Sequence, residues 1–435
     1  MRSVRWGIVL FLGVGLVVTL GRAADWTRFR GPNGDGHSAD TNLPEKWSDS
    51  ENLKWKTEMP GAGSSSPIVI GKHVFVTCYS GYGLPKSNGG ETKSLQRQLV
   101  CLNRADGTVL WTKTVANESP EDDYQGFISE HGYASNTPVT DGERVYCFFG
   151  KSGVLAFDFE GKKMWQTDVG KSSSNRRWGS GASLLLHNDL VIVNASEESK
   201  SIRGLDKKTG KEVWSAPGAA LELAYGTPAL ATSKENRTDL VISVPGEIWG
   251  LNPDTGKLRW HAAHLLTGNI CPSMIVDGET AYVFGGFRSS GSFTIRAGGS
   301  GDVVKSHIGW SSRNSSYVAT PVLHEKHLYW VDDHGQAFCI SAETGEQVYQ
   351  ERVKEVEAGG RPVYASPVVA NGKIFVQTRW SGVLILPASP EFKVLVQNKF
   401  SGDDSDFNAT PAISDNELFL RSNKFLYCVG KEGSK

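Results

Sequence analysis

The stretch Asp206–Trp214 reads D-K-K-T-G-K-E-V-W, and versions of it recur along the chain. The related stretches are R-A-D-G-T-V-L-W at Arg104–Trp111, F-E-G-K-K-M-W at Phe159–Trp165, P-D-T-G-K-L-R-W at Pro253–Trp260 and A-E-T-G-E-Q-V-Y at Ala342–Tyr349. In each of them, an aromatic residue lies four positions after a turn glycine. A short unit repeated about every 40–50 residues is typical of propellers, solenoids and arrays.

The start of each repeat has its own pattern, which allows the repeats to be counted. A small residue, usually next to proline, precedes a short strand at eight places: Ser66-Pro67, Thr137-Pro138, Gly181-Ala182, Thr227-Pro228, Pro272-Ser273, Thr320-Pro321, Ser366-Pro367 and Thr410-Pro411. A tight-turn pair such as Asn371-Gly372 and an alternating strand follow. Short strands bounded by such turns predict four-stranded antiparallel blades. We therefore predict eight blades, with seven blades and a decorated edge as the alternative.

The two ends of the chain are predicted to share one blade. The last repeat stops after a third strand at Phe425–Val429, whereas Asn52–Lys56 has the pattern of a fourth strand. Pairing these segments would remove an exposed sheet edge. The predicted fold class is all-β: an eight-bladed β-propeller of four-stranded antiparallel blades, closed by an N-terminal strand. The aromatic residues expected to pack these blades are Trp55, Trp111, Trp165, Trp214, Trp260, Trp310 and Tyr349.

The first residues have the pattern of a secretory signal peptide. Arg2 and Arg5 precede an apolar run at residues 7–20, and small residues follow. We predict that residues 1–24 are removed and that residues 25–435 form the propeller domain. The alternative is an uncleaved anchor, but the apolar run is shorter than the roughly 20 residues that span a bilayer. No cysteine stands at the cleavage point, so no lipid anchor is expected, and no other segment is apolar enough to span a membrane. The mature protein is predicted to be periplasmic or secreted, and monomeric.

Charge and cysteine usage restrict the partners and the chemistry. The formal net charge is -1, which argues against nucleic acid because phosphate binding requires clustered Lys and Arg. Cys101, Cys339 and Cys428 occupy the same position in their respective repeats. Other repeats have Ala156, Gly204 or Gly250 at that position. That pattern indicates a tight buried site for a small side chain. A disulfide between Cys78 and Cys101 stays open as an alternative.

Insertions indicate which face of the propeller is functional. Ser80–Gln98 and Ala116–Ser135 lengthen the first repeat, and Gly285–Ser292 lengthens the fifth. These connections leave one face of the disk, which we call the mouth face. Long loops on a rigid scaffold commonly carry binding residues. We predict a protein or glycan partner in the cell envelope, with an ordinary polar rim as the alternative. The candidate ligand-binding residues are Glu130, His131, Tyr133, Arg177, Trp178, Glu222, Tyr225, Arg361 and Tyr364.

The repeats resemble the pyrroloquinoline-quinone (PQQ) repeat of BamB-like proteins and quinoprotein alcohol dehydrogenases. Three stretches, Trp26–Gly36, Ile295–Val303 and Ala409–Ile413, are similar to the pattern of secreted bacterial PQQ-like propeller proteins. The resemblance implies the propeller fold. The dehydrogenases of this superfamily stack the quinone between a Trp and a disulfide of adjacent cysteines, and bind Ca²⁺ through Glu, Asn and Asp. This chain has no adjacent cysteine pair.

Two classes of function follow from the sequence. The favoured class is a non-catalytic binding or scaffold module that acts outside the cytoplasm. The second class is a PQQ-dependent oxidoreductase, or another enzyme with its site at the propeller mouth. No residue cluster has the spacing of a nucleophile with its base or of a metal site. We therefore predict no catalytic residue, no metal ligand and no bound cofactor, with PQQ and calcium as the alternative.

Overall fold

The computed structural model describes residues 25–84, 90–117, 119–287 and 289–431, so the predicted signal peptide lies outside the described residues. Eight sheets form the blades of a propeller. Each blade is antiparallel, and its first strand lines the central channel. The prediction of an all-β, eight-bladed propeller is confirmed, and the seven-bladed alternative is wrong.

The strand bounds follow the repeats. Blade 1 consists of Ile68–Ile70, His73–Ser80, Gln96–Asn103 and Val109–Ala116, and blade 2 of Val139–Thr140, Arg144–Phe148, Val154–Asp158 and Lys163–Thr167. Blade 3 consists of Leu185–His187, Leu190–Ala195, Ser201–Asp206 and Glu212–Pro217, and blade 4 of Ala229–Thr232, Thr238–Val244, Glu247–Leu251 and Leu258–Ala263. Blade 5 consists of Ile275–Asp277, Thr280–Gly285, Gly291–Arg296 and Ile308–Ser312, and blade 6 of Val322–His324, His327–Val331, Gln336–Ser341 and Gln347–Arg352. Blade 7 consists of Val368–Ala370, Lys373–Gln377, Val383–Pro387 and Val396–Asn398, and blade 8 of Ala412–Ser414, Glu417–Arg421, Phe425–Val429 and Leu53–Glu58.

Short helices and two additional strands complete the described secondary structure. The helices are Ile128–His131, Ser196–Ser199 and Val304–His307, with 3-10 turns at Thr92–Ser94, Gly150–Ser152 and Ala219–Leu221. The additional strands, His37–Ser38 and Gly301–Asp302, pair in parallel with edge strands of blades 7 and 4.

The N-terminal strand closes the ring, as the sequence predicted. Leu53–Glu58 pairs antiparallel with Phe425–Val429, and Trp55 lies opposite Cys428. Blade 8 therefore takes three strands from the C-terminal end of the chain and one from the N-terminal end.

The repeated aromatic residue joins its own blade to the next one. The indole N–H donates to a backbone carbonyl at the following turn in five cases: Trp55 to Arg104 (2.8 Å), Trp111 to Phe159 (2.8 Å), Trp165 to Lys207 (3.1 Å), Trp214 to Pro253 (3.1 Å) and Trp310 to Ala342 (2.8 Å). The turn glycine packs on the same ring: a Cβ on Gly107 would lie 2.6 Å from Trp55. Gly107 also has φ +72°. Glycine and tryptophan therefore recur together because they meet across the boundary between blades.

In six of the eight blades, the third strand supplies a small residue opposite that aromatic residue. The pairs are Cys101 with Trp111, Ala156 with Trp165, Gly204 with Trp214, Gly250 with Trp260, Cys339 with Tyr349 and Cys428 with Trp55. A larger side chain would occupy the volume of the ring. This register confirms that the recurrent cysteines fill a tight buried position.

Replacing Gly250 by alanine is expected to lower the free energy of unfolding by about 1–3 kcal/mol, the usual cost of overpacking a filled core. The reason is that a Cβ on Gly250 would overlap the ring of Trp260, which is fully buried. Thermal and chemical denaturation measure the effect. Gly402→Ala is the matched control, because a Cβ there meets no atom closer than 3.8 Å. Equal stability of the two variants would contradict the packing argument.

The six cysteines are free. Cys78 lies opposite Gln98 and Cys101 lies opposite Phe75, so the two side chains are not cross-strand neighbours. The disulfide left open by the sequence is therefore wrong. Burial raises the pKa of Cys101 to about 12, which keeps this thiol protonated.

A ring of side-chain hydroxyls surrounds the channel where the inner strands begin. Except at Thr410, each backbone N–H group in this ring donates to the side-chain hydroxyl of the equivalent residue in the next blade, with N···O distances of 2.9–3.1 Å. The donors are, in order, Ser66, Thr137, Ser183, Thr227, Ser273, Thr320 and Ser366, and the last acceptor is Thr410. Blade 3 contributes Ser183, so its predicted opening at Gly181-Ala182 is wrong by two residues. The ring needs a hydroxyl at this place, and in blade 3 no proline follows it to reveal the register.

The segment before the closing strand crosses the channel on the face opposite the insertions. Trp26 exchanges two 2.9 Å backbone hydrogen bonds with Val69 of blade 1. Arg30 is 1% exposed, and its guanidinium donates to the carbonyls of Thr320 (2.6 Å) and Pro321 (2.8 Å) in blade 6. His37–Ser38 then continues along blade 7. The channel is therefore blocked from this side.

Candidate functional site

A central cavity of about 180 Å³ lies in the channel beneath the mouth face. Its wall includes all eight residues of the hydroxyl ring. Phe29, from the N-terminal segment that blocks the channel, contributes on the opposite side. The insertion between blades 1 and 2 supplies Phe127, Glu130 and His131 on the mouth side. A ligand therefore has access from the mouth face.

Polar contacts hold this insertion across several blades. Glu130 forms a 2.8 Å ion pair with Arg379 of blade 7, and its backbone carbonyl accepts a 2.7 Å hydrogen bond from Asn408. His131 bonds through Nε2 to the carbonyl of Trp178 at 2.9 Å. These contacts connect the short helix Ile128–His131 to a loop of blade 7 and to the connections between blades 2 and 3 and between blades 7 and 8, so the residues over the cavity are fixed in place.

Aromatic rings form the wall below the mouth face. Phe127 packs on Trp178 with centroids 4.4 Å apart, and Trp178 stacks on Tyr225 at 5.8 Å. Tyr364 lies 6.5 Å from Phe127. The guanidinium of Arg361 lies 5.0 Å from the Phe127 ring on the outer side. Each ring is only partly buried.

The structure brings five of the nine predicted site residues to the cavity wall. They are Glu130, His131, Trp178, Tyr225 and Tyr364. Their proximity arises because each comes from the connection that precedes an inner strand, and these connections converge on the channel.

The other four predicted residues lie elsewhere. Tyr133 is 8% exposed and packs among Tyr79, Tyr82 and Tyr124, where it donates to the carbonyl of Asp122. Arg177 is exposed on the rim. Glu222 accepts the Asn175 N–H at 2.9 Å and pairs with Lys200 at 2.8 Å, so it fixes a rim loop. Arg361 supports Phe127 from outside the cavity.

Sequence reasoning missed several cavity residues. These are Phe29, Phe127, Cys271 and Asn408, together with the hydroxyl ring. The repeated Ser-Pro and Thr-Pro openings contain most of the ring, but their pattern predicts only where the inner strands begin. Phe127 and Phe29 lie in segments without a repeat partner, so no comparison between blades could identify them.

The cavity interior carries no unpaired charge among the described residues. Burial lowers the pKa of His131, although its bond to the Trp178 carbonyl opposes the shift, so the imidazole is neutral at neutral pH. Burial also raises the pKa of Tyr225, whose hydroxyl donates to Glu197 at 2.7 Å. Glu198 lies outside this cavity, where it accepts a hydrogen bond from Ser180 and burial raises its pKa to about 7. Glu130 is paired with Arg379.

The donor set of the cavity does not fit a PQQ–calcium centre. Within the described ranges, no group of three or more His, Cys, Asp and Glu side chains is placed to hold a metal ion. The one carboxylate of the cavity wall is already paired with Arg379. Cys271, the cavity cysteine, is free and therefore offers no disulfide for a quinone to stack on.

The eight blades and their aromatic contacts define a PQQ-like β-propeller. The model of a family described as outer membrane protein assembly factor BamB matches residues 52–222, 96–351 and 246–389. The matches cover more than half of the chain, and the chain belongs to this family. No curated protein matches the chain.

Solved structures share the fold at low sequence identity. BamB from Moraxella catarrhalis is 14% identical, with a TM-score of 0.58, and the match covers 87% of this chain and 98% of that one. A europium-containing methanol dehydrogenase is 13% identical, with a TM-score of 0.62 and coverage of 94% and 98%. The computationally designed Ika8 protein is 10% identical, with a TM-score of 0.56 and coverage of 87% and 99%. These similarities concern the fold alone.

Proposed function

We propose that the protein is a non-catalytic binding module that acts as a monomer in the cell envelope or outside the cell. The observation that carries the proposal is the central cavity, which is closed on one side and lined by aromatic rings and hydroxyls. Concave, mostly apolar pockets with a few placed polar groups are typical ligand sites. The rim around it offers a protein or a glycan a broader surface.

The hydrogen-bond partners of the cavity side chains support binding rather than catalysis. The Glu130 carboxylate is paired, both ring nitrogens of His131 are hydrogen bonded, and burial raises the pKa of the Cys271 thiol to about 12. The His131 Nδ1 partner is the Ser135 hydroxyl, which also lines the cavity, but Nε2 bonds to a backbone carbonyl and not to a carboxylate. A base that activates a nucleophile is itself oriented by a third group, and a carboxylate in that role is absent from the contacts described for His131. The family and the signal-like N-terminus support an envelope location. None of the described helices is long and apolar enough to cross a membrane.

Arg177→Glu is expected to weaken capture of an envelope partner about fivefold, the size of effect that loss and reversal of one rim charge produces. Arg177 is exposed on the mouth-face rim. Quantitative pull-down from envelope extracts, followed by mass spectrometry, measures the change. Lys208→Glu, at an exposed turn on the opposite face, is the matched control. Equal capture by both variants would remove the mouth face as the partner surface.

A second measurement separates binding from catalysis. Incubation with PQQ and Ca²⁺ is expected to give no dye-linked oxidation of alcohols or sugars above background. Stoichiometric quinone binding with turnover would overturn the proposed function in favour of an oxidoreductase.

A further inference from the structure

The cavity has an aromatic side that suits the flat face of a small ring. Phe127 and Trp178 present partly exposed rings on the mouth side, and Phe29 faces the cavity from the channel side. The contacts of Trp178 with Phe127 and with Tyr225 fix the orientation of these three rings. The faces of a sugar ring are rich in C–H groups and pack on such surfaces, whereas the sugar hydroxyls lie around its edge.

Another part of the cavity wall has unsatisfied hydrogen-bonding groups. Ser66 is 1% exposed and its Oγ has no partner, because the hydroxyl ring lacks the bond that would join Thr410 to Ser66. The Oδ1 atom of Asn408 is also buried without a partner. Both residues line the cavity, one on each side of the junction between blades 8 and 1. Buried polar atoms are nearly always paired, so this junction is suited to a hydroxyl-bearing ligand.

Charge and size restrict that ligand further. The Glu130 carboxylate pairs with Arg379, and Arg379 pairs with Asp406 at 2.8 Å, so an ionic ligand finds no free counter-charge. An unpaired charge would be costly in such a site. The cavity volume of about 180 Å³ is below the roughly 300–1,000 Å³ of pockets for drug-sized ligands. It therefore admits one ring rather than an extended molecule.

We infer that the cavity binds one neutral, polyhydroxylated ring, either a free sugar or the terminal residue of a glycan. The inference rests on the function proposed above and specifies its ligand. The ring lies between Phe127, Trp178 and Phe29, and its hydroxyls bond to Ser66 and Asn408. The remainder of a glycan extends through the mouth face.

The test compares neutral and charged sugars of the same size. Saturation-transfer NMR and tryptophan fluorescence are recorded with glucose, galactose and N-acetylglucosamine, and with the charged analogues glucuronate and glucosamine. At least one neutral sugar is expected to bind, and its charged analogues at least about tenfold more weakly. Neutral trisaccharides distinguish the two sources: tighter binding than the monosaccharide identifies a glycan end, and equal or weaker binding identifies a free sugar.

Two variants connect binding to the named residues. Trp178→Leu is expected to weaken binding about tenfold through loss of the stacking face. Ser66→Ala is expected to weaken it about fivefold through loss of one hydrogen bond. The matched controls are Trp249→Leu, a partly buried tryptophan away from the cavity, and Ser233→Ala, whose hydroxyl is likewise buried without a partner. The controls are expected to bind as the unmodified protein does.

The outcomes separate this inference from the function on which it rests. No binding by any neutral sugar, or equal effects of the variants and their controls, would overturn the inference. If Arg177-dependent capture of a protein partner persists in that case, the proposed function stands. Sugar binding accompanied by oxidation would instead overturn the non-catalytic function and leave the sugar site.

Discussion

Replacing Trp55 by alanine is expected to lower the free energy of unfolding by about 3–5 kcal/mol, the usual cost of truncating a buried aromatic residue. Trp55 is 7% exposed and lies opposite Cys428 in the blade that joins the chain ends. Its indole also donates to the Arg104 carbonyl in blade 1. The substitution therefore weakens blade 8 and its contact with blade 1 together. Denaturation of the purified chain measures the loss, monitored by circular dichroism of the backbone because the substitution removes a tryptophan.

Two further variants test the cause of that loss. Trp55→Phe keeps an aromatic ring but not the indole donor, so it is expected to lose less stability than Trp55→Ala. Leu265→Ala removes a side chain that is 89% exposed and is expected to change stability by less than about 0.5 kcal/mol. If Trp55→Ala were as stable as Leu265→Ala, the closing strand would not contribute to the stability of the ring.

Asp239→Ala is expected to have an effect of similar size, about 3–5 kcal/mol, because it breaks a buried charged network. Asp239 is fully buried and accepts hydrogen bonds from Arg259 (2.7 Å), Trp260 (2.8 Å), Gly298 N–H (3.0 Å) and Arg237 (3.1 Å). The Asp239 carboxylate accepts the indole hydrogen bond of Trp260, whereas the equivalent tryptophans donate to a backbone carbonyl in the turn of the next blade. Removing it leaves the Trp260 indole without its acceptor and leaves Arg259 with the Thr238 carbonyl alone. Thermal denaturation at neutral pH measures the change.

The same carboxylate should make stability depend on acid. Burial alone would raise the pKa of Asp239, but the donors from Trp260, Arg259 and Arg237 outweigh it and hold this pKa below its ordinary value. Its contribution is therefore complete above the unfolded pKa of about 3.9 and is lost as the pH falls through the folded pKa. We expect Asp239→Asn to be less stable at neutral pH and to lose less stability between pH 5 and pH 3, each pH being approximate.

An exposed aspartate provides the control for this network. Asp189 is 75% exposed and pairs with Lys207 at 3.5 Å. Asp189→Ala is expected to cost less than about 1 kcal/mol, as is usual for surface ion pairs. Equal losses at both positions would contradict a special role for the buried carboxylate.

The sequence predicts the blades well because each blade repeats the same local packing. The glycine-to-tryptophan phrase identifies the outer strand, and the choice among Cys101, Ala156 and Gly250 identifies the small position opposite it. The direction of the contact was not predictable, since the tryptophan and the glycine that touch come from different copies of the phrase. Blade 3 was misplaced by two residues because Ser183 is followed by Leu184 instead of proline.

The site was less predictable than the fold for a related reason. Glu130, Trp178 and Tyr225 precede inner strands, so their convergence followed from the topology. Phe29 and Phe127 contribute through segments that occur once, and their positions depend on long-range contacts such as that of Arg30 with Thr320. Tyr133 lies in the same insertion as Phe127, but its side chain packs within a cluster of tyrosines away from the cavity. No spacing in the sequence indicates this difference.

The path of residues 26–58 has a consequence for how the protein folds and unfolds. In open repeat arrays, stability is roughly a sum over neighbouring repeats, and terminal repeats can fray independently. Here the N-terminal segment, which is synthesised first, contacts blades 1, 2, 6, 7 and 8. Blade 8 is complete only with the C-terminal strands, which are synthesised last. The propeller therefore has no end from which to fray, and its earliest segment cannot reach its final position until the C-terminal strands have been synthesised. Unfolding should be a single cooperative event, and shortening the chain at its C-terminus should release the N-terminal strand as well.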